Sequence, residues 1–455
     1  MPKKGQLVVV GSGIKAVGQF TLEAQAHIQQ ADIVLYAAAD PVTDMWIETQ
    51  NPNCFDLYQY YANDKDRIVT YVQMIERALD EVRAGKHVCA VFYGHPGVFV
   101  TPSHNAIEIA RREGYEARML PAVSAEDCLY ADLGVDPSIP GLQIFEATDL
   151  LLRQRRIDPT MNLILFQVGC VGDLGFKFHG FENGNFQVLV DYLDHVYGPD
   201  QELVNYVASM FSIAEPTMAT HRIRDLRDPD VAKTVTGIST FFIRASKSVE
   251  GNAEVAGKFG FRVGPSRGTP LICDRADYPK LKQLAQRNNR NHAVPDGYKF
   301  SHGSRALYDT LCRLALDVRA QSAFREDPDG FLNACDGLTD QQRRYLRMQH
   351  LGIIRMMFKA EPDKEGERFV DAALKRPYLA DSYRAKQQVE YGALLREEIE
   401  PSQYQTRLCH WLLEQGYATT PTAVTRAVQA VRPIRADTPS EPRAETPSTV
   451  GALAG

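Results

Sequence analysis

Up to about residue 245 the sequence alternates short β-branched runs with amphipathic stretches, and several of those runs end in glycine. This rhythm predicts an α/β domain, in which strands and helices take turns along the chain. The expected strands lie at 7–10, 33–36, 88–93, 163–167, 204–208 and 240–243. The clearest helix is expected over 64–84, where Ile68, Val72, Ile75, Leu79 and Val82 recur at steps of four and three and Gly85 follows as a stop. That stripe is expected to be core.

A chain of 455 residues is longer than one hydrophobic core usually organises, so two or three domains are expected. The texture changes at FRVGPSRGTP, residues 261–270, after which the sequence reads as helix. Thr339-Asp-Gln-Gln342 has the form of a capping box, with Leu346, Leu351 and Ile354 continuing an apolar face. Further helical patterns cover 380–398 and 403–431, the second carrying Trp411, Leu412 and Leu413. From Arg432 prolines interleave with charged residues and serine, a composition unable to bury enough apolar surface to order itself, so a disordered tail is expected. It ends in VGALAG, residues 450–455, which is small and uncharged.

Composition narrows the function. A hydrophobic fraction of 44% excludes disorder throughout, and a formal charge of -6 provides no general reason to bind nucleic acid or an anionic membrane. The eight cysteines form no CxxC pair, which argues against a zinc site and for reduced thiols in a cytoplasmic protein. No apolar run reaches membrane-spanning length, and the stretch 7–10 is too short for a signal-peptide core.

Five motifs stand where chemistry is expected. Gly11-Ser-Gly13-Ile-Lys-Ala16 follows the first strand as a turn whose missing side chains let a backbone approach a ligand. Asp40 lies near the place where a nicotinamide-dinucleotide site would want an acid, so that reading stays open beside a plain tight turn. Arg67 and Tyr71 are spaced to share one flank of the 64–84 helix, where a guanidinium eases ionisation of a phenol; a surface cation stacked on a ring has the same spacing. His95 sits in a glycine and proline turn at a strand end, Ser124 is placed as a helix cap, and the strand at 163–167 again runs into glycines.

Taken together, DLYQYY at 56–61, FYGHPGVFV at 92–100, MLPAVSAEDCLYADL at 119–133, FQVGCVG at 166–172 and GISTFFI at 237–243 resemble the borosin peptide N-methyltransferases, relatives of the tetrapyrrole methylases. The resemblance runs almost continuously through 1–245, and a histidine stands at 95 where tetrapyrrole methylases usually carry an acid. It implies a tetrapyrrole-methylase-like α/β domain at 1–245, a helical clasp and borosin-binding-like region at 246–375, an additional helical segment at 376–431, and a tail at 432–455 with a candidate core peptide. It also implies an interlocked homodimer in which each C-terminus is a peptide substrate in the partner's site. The implied catalytic residues are Arg67, Tyr71, Tyr61 and Tyr58. The implied contacts to S-adenosyl-L-methionine are Tyr93, His95, Val98, Ala125, Gln167, Ala208, Ser239 and Thr240, with no metal.

An amide nitrogen is a poor nucleophile because its lone pair is delocalised into the carbonyl. Tyr71 is therefore expected to take the amide proton while Arg67, which stays cationic, stabilises charge on the amide oxygen. The tail departs from the family pattern in offering only a short core with no follower. The fused substrate is the reading adopted, against a separate precursor peptide, a tetrapyrrole-type small-molecule acceptor, or a peptide-binding module without turnover.

Overall fold

Two five-stranded sheets make up the first half of the chain. A computed structural model of the protein describes residues 5–260, 304–347 and 398–414, with isolated positions between 279 and 396. The first sheet is wholly parallel, in the order β3-β2-β4-β1-β5, from β1 (Gln6–Gly11), β2 (Ile33–Ala37), β3 (Cys54–Asp56), β4 (His87–Phe92) and β5 (Glu116–Met119). Its alternating side chains divide between two layers. Val8, Val10, Val34, Tyr36, Cys89 and Val91 face α1 (Leu22–Gln30) and α2 (Pro41–Gln50). Leu7, Val9, Leu35, Val88 and Ala90 face α3 (Arg67–Arg83) and α4 (Thr101–Arg112). Runs apolar at every position are what a sheet covered on both faces requires.

After α5 (Ala125–Leu133) comes the second sheet, ordered β6-β7-β10-β8-β9. It is built from β6 (Leu142–Glu146), β7 (Asn162–Phe166), β8 (Glu202–Val207), β9 (Thr217–Arg222) and β10 (Thr240–Ile243), and every pairing except β6 with β7 is antiparallel. One face packs on α6 (Ala147–Leu152) and α7 (Phe186–Tyr197) through Leu163, Leu165, Phe241 and Leu189. The other face, with Ile164, Phe166, Tyr206 and Phe242, meets α5 and Ile14, which joins the two sheets. Short helices α8 (Pro229–Ala232) and α9 (Ala253–Lys258) flank β10 in sequence.

The helical part comprises α10 (Arg305–Leu316), α11 (Val318–Glu326), α12 (Pro328–Asn333), α13 (Asp340–Arg347) and α14 (Pro401–Glu414). The first four share a core of Leu307, Phe324, Phe331, Leu332 and Leu346. The capping box expected at 339–342 is formed, Gln342 N–H donating to Thr339 Oγ1 at 3.1 Å and Thr339 N–H to Gln342 Oε1 at 3.0 Å. This unit docks on α1 through Gln30, which accepts from Val318 N–H at 2.8 Å and donates to the Leu316 carbonyl at 3.1 Å. Leu351, Ile354 and the tail from 432 lie outside the described residues.

The expected α3 stripe is core only in its second half. Ile75, Leu79 and Val82 are buried, whereas Ile68 is 56% and Val72 50% exposed. The helix starts at the C-terminal edge of the sheet, so its first turns extend past the strands that cover the rest. The glycine turn also differs from expectation. A Cβ on Gly11 would lie 2.1 Å from the Gly94 carbonyl oxygen, and Gly13 pairs with Gly94, so these glycines admit another loop of the protein. Asp40 is 4% exposed and caps α2 by accepting from Thr43 N–H at 2.8 Å, which replaces the nucleotide role considered for it.

Candidate functional site

Strand ends of the first sheet supply one wall. Beyond β4 the chain turns through Tyr93, Gly94 and His95, and Tyr93 N–H donates to the Ala37 carbonyl of the neighbouring strand at 3.0 Å. His95 Nδ1 accepts from Gly97 N–H at 2.9 Å, which leaves the proton of a neutral ring on Nε2 as a donor. Val98 N–H closes the same turn on the His95 carbonyl at 3.0 Å. Phe99 follows with φ 57° and its ring 4.9 Å from that of Phe166, so this loop is stapled to the end of β7.

The second sheet supplies the opposite wall. Gln167 leaves β7 in the left-handed region, at φ 58°, an unfavourable conformation for a non-glycine residue and one that marks a shaped turn. Gly169 lets this turn approach the loop before β10 so closely that a Cβ would lie 1.9 Å from the Thr236 carbonyl oxygen. On that loop Ser239, 2% exposed, accepts from Thr236 N–H at 3.0 Å, and buried Thr240 opens β10. Ala125 at the start of α5 and Ala208 beyond β8 pack with Tyr93 in the cluster joining the sheets. Ser124 caps α5 in a complete capping box with Asp127, the role expected for it. Of the eight expected cofactor residues, Tyr93, His95 and Val98 follow β4, Gln167 follows β7, Ala208 follows β8, Ser239 and Thr240 stand at the start of β10, and Ala125 opens α5. Burial pushes the Tyr93 phenol up to about 12.

Arg67 opens α3 between these walls. Its N–H donates to the Leu174 carbonyl at 2.9 Å, its Nη2 donates to the Asp173 carbonyl, and its guanidinium lies 5.3 Å over the Phe181 ring. Two side-chain contacts and one main-chain hydrogen bond from the segment after β7 fix a residue that sequence placed only on a helix. An open cavity of about 450 Å³ runs past it, lined also by Gln167, Glu146, Arg153 and Leu174. One turn along α3, Tyr71 packs against the first-sheet core.

Tyr58 and Tyr61 come from the 3-10 turn 57–60 and its end, whose first N–H groups are capped by Asp56. Their rings are 5.2 Å apart, and Tyr61 stacks at 4.2 Å on Phe176. Burial raises the Tyr61 phenol, as do Tyr71 and Tyr58, and the opposing pull of Arg67 is smaller. The acidifying effect expected of Arg67 is therefore present at Tyr61 and outweighed there. Burial also raises Tyr58, with Asp44 and Asp56 adding to it. The structure brings Arg67 and the three tyrosines together.

Comparison with known proteins gives two family matches. Residues 6–166 match the Tetrapyrrole (Corrin/Porphyrin) Methylases, and residues 279–382 match the borosin biosynthesis clasp domain. The methyltransferase and ribosomally synthesized cyclic peptide dendrothelin A precursor of Dendrothele bispora (strain CBS 962.96) is 44% identical over 372 residues, which is 79% of this chain and 89% of that protein. The chain belongs to the borosin methyltransferase-precursor family.

Other members agree. The methyltransferase and cyclic peptide omphalotin A precursor of Omphalotus olearius is 42% identical over 79% of this chain and 89% of its own length. The type III borosin cyclic peptide precursor of Anomoporia bombycina is 40% identical over 93% of this chain, which spans only half of that longer protein. As a borosin-family methyltransferase, the chain acts with a methyl donor, and the α/β domain with a helical clasp region expected from sequence is its architecture. Among the described residues no cluster of metal-binding side chains occurs, and no helix is long and apolar enough to cross a membrane.

Sequence reading passed over one group whose charge acts on Tyr58. Asp44 on α2 has a buried Oδ1 without a hydrogen-bond partner, and burial first, then Asp56, Asp40 and Glu48, raise its carboxyl to about 6. A single acid inside an amphipathic helix leaves no pattern by which to find it.

Proposed function

We propose that this chain transfers methyl groups from S-adenosyl-L-methionine to backbone amide nitrogens of a peptide, and that the acceptor is the 450–455 segment of a second copy in an interlocked dimer. The observation that carries this reading is the placement of Arg67 and Tyr71, one helical turn apart on α3, with Arg67 tied to the turn after β7 and Tyr61 beside both. The family names of the relatives, each a methyltransferase and cyclic peptide precursor in one chain, support a peptide acceptor, and the clasp match at 279–382 supports the dimer.

The wall residues suit this cofactor chemically. Ala125 and Ala208 leave room for a flat base, while Ser239, Thr240, Gln167 and the Nε2–H of His95 offer hydrogen bonds to hydroxyl and carboxylate groups. S-adenosyl-L-methionine supplies, when bound, a methyl group activated by a sulfonium. The rest is done by the chain. Arg67, held by Asp173 and Phe181, points a fixed cation at the amide oxygen, where negative charge grows as the N–H proton leaves. Tyr71 accepts that proton, with the Tyr61 hydroxyl as its hydrogen-bond partner. The stacked rings of Tyr58, Tyr61 and Phe176 exclude water from the nitrogen.

The test is mass spectrometry of the digested full-length protein. The C-terminal peptide of the parent chain is expected to gain mass in methyl-sized steps, and Tyr71→Phe to abolish most of that gain. An unmodified tail together with methylation of an added peptide shifts the acceptor to a separate precursor. Methylation of a tetrapyrrole alone refutes the peptide reading.

A further inference from the structure

None of the eight expected cofactor residues lies on the loop after β1, yet that loop is bonded to three of the segments that carry them. Gly94 N–H donates to the Gly13 carbonyl at 3.0 Å and Gly13 N–H to the Gly94 carbonyl at 3.3 Å, which holds the turn of Tyr93 and His95. Ala16 N–H donates to the Met210 carbonyl at 2.8 Å, two residues beyond Ala208. Gln19 Nε2 donates to Cys128 Sγ at 3.5 Å, one turn along α5 from Ala125.

The half-buried side chain of Gln19 keeps the loop in this shape. Its Oε1 accepts from Ile14 N–H at 2.7 Å and from Lys15 N–H at 2.9 Å. Successive N–H groups converging in a turn form a nest that attracts an anion, and in a nucleotide-binding glycine turn such groups face a phosphate. Here an uncharged carbonyl from the same loop fills the nest. Gly13, at φ 72°, makes room for that side chain, since a Cβ there would lie 2.3 Å from Gln19 Cβ. Val17 is held at φ 61°, a conformation unfavourable for a β-branched residue that persists only where the surroundings over-determine it, and its N–H donates to Thr43 Oγ1 at 3.3 Å.

Resting on the cofactor reading above, we propose that Gln19 is a positioning residue for S-adenosyl-L-methionine. By filling the N–H nest of the glycine turn it closes that turn to an anionic group and makes it a brace, which fixes the spacing of the loop after β4, the start of α5 and the segment after β8. Its hydrogen bonds run to Ile14, Lys15 and Cys128, so its effect falls on cofactor binding rather than on the chemical step at Arg67 and Tyr71.

Calorimetry measures the dissociation constant of S-adenosyl-L-methionine for the full-length parent chain, Gln19→Met, Gln19→Glu and Cys128→Ala, beside thermal melting and the rate of methyl gain at saturating cofactor. Gln19→Met keeps the length of the side chain and removes its acceptor; it is expected to bind about tenfold more weakly, with a saturated rate within about threefold of the parent. Gln19→Glu again accepts from both N–H groups and is expected to return the affinity to within about threefold of the parent. Cys128→Ala is expected to weaken binding about threefold, and to add little to Gln19→Met because the two share one contact. Parent affinity in Gln19→Met overturns the proposal, as does failure of Gln19→Glu to recover affinity. A lower melting temperature with equal losses of affinity and saturated rate in Gln19→Met marks a merely structural role and overturns it too. If Gln19→Met does not fold, Cys128→Ala decides: weaker binding supports the brace and unchanged binding overturns it. Absence of cofactor binding by the parent chain refutes the underlying reading instead, and the proposal falls with it.

Discussion

The guanidinium of Arg67 donates through Nη2 to the main-chain carbonyl of Asp173, so the first residue of α3 is tied to the turn that follows β7 in the other sheet. The main chain repeats the tie, Arg67 N–H donating to Leu174 at 2.9 Å. A cation held by backbone from a second sheet is preorganised, and it needs no rearrangement when charge develops on a bound amide.

Arg67→Ala removes the side-chain tie and keeps the main-chain one. The fold is expected to survive with its melting temperature nearly unchanged, while the methylation rate falls about 100-fold, the usual loss for one donor to a developing oxyanion. Arg67→Lys is expected to recover little of it, because an ammonium lacks the planar fork that reaches a carbonyl and a substrate together. Initial rates of mass gain check both variants, with thermal melting as the control.

Gly11→Ala tests the junction between the strand-end loops. Its new methyl would lie 2.1 Å from the Gly94 carbonyl oxygen and 2.6 Å from Ala122 Cβ, and the first of these is backbone that has no rotamer to change. The loops after β1 and β4 must separate, with an expected loss of about 1–3 kcal/mol in unfolding free energy and weaker cofactor binding. Denaturant titration and calorimetry measure the two effects, and unaltered values in both refute this account of the junction.

His27 couples stability to acid. Its ring is 1% exposed, its Nε2 accepts from Arg118 Nη2 at 2.9 Å, and its Nδ1 lies 3.4 Å from His87 Nε2. Arg118 Nη2 also donates to Gln321 at 2.9 Å, so the same group holds α11 on the first sheet. Burial first, then the charges of Arg118, His87 and Arg325, lower the ring from 6.5 to about 3. The unfolded chain therefore binds a proton below 6.5 that the folded protein refuses until about 3, and stability is complete above 6.5 and declines as pH falls through that window. The slope due to this ring approaches about 1.4 kcal/mol per pH unit. Melting curves across the window are expected to show a shallower acid slope for His27→Leu than for the parent chain.

Six strands were readable because each is a buried run apolar at nearly every position, as in Leu163, Ile164 and Leu165 of β7. The strands β3, β5, β6 and β9 were not. All four lie at the edges of their sheets; β3 has three residues, β5 has one buried position, and β6 and β9 have none, so none shows a buried apolar run for a pattern search to find. Ile68 and Val72 failed for the converse reason: they repeat correctly, yet the sheet ends before it reaches them.

Local sequence by itself determined the six central strands, the caps at Ser124 and Thr339, and the kinds of side chain present at the site, since each depends on residues within a few positions of one another. The motifs were also sufficient to name the family. Only the tertiary structure decided that Gly11 makes room for Gly94, that Arg67 is gripped by Asp173, and that a buried oxygen of Asp44 meets no donor among the described residues. Those facts depend on which surfaces meet across two sheets, and burial and electrostatics act through space between groups whose separation along the chain carries no trace of their contact.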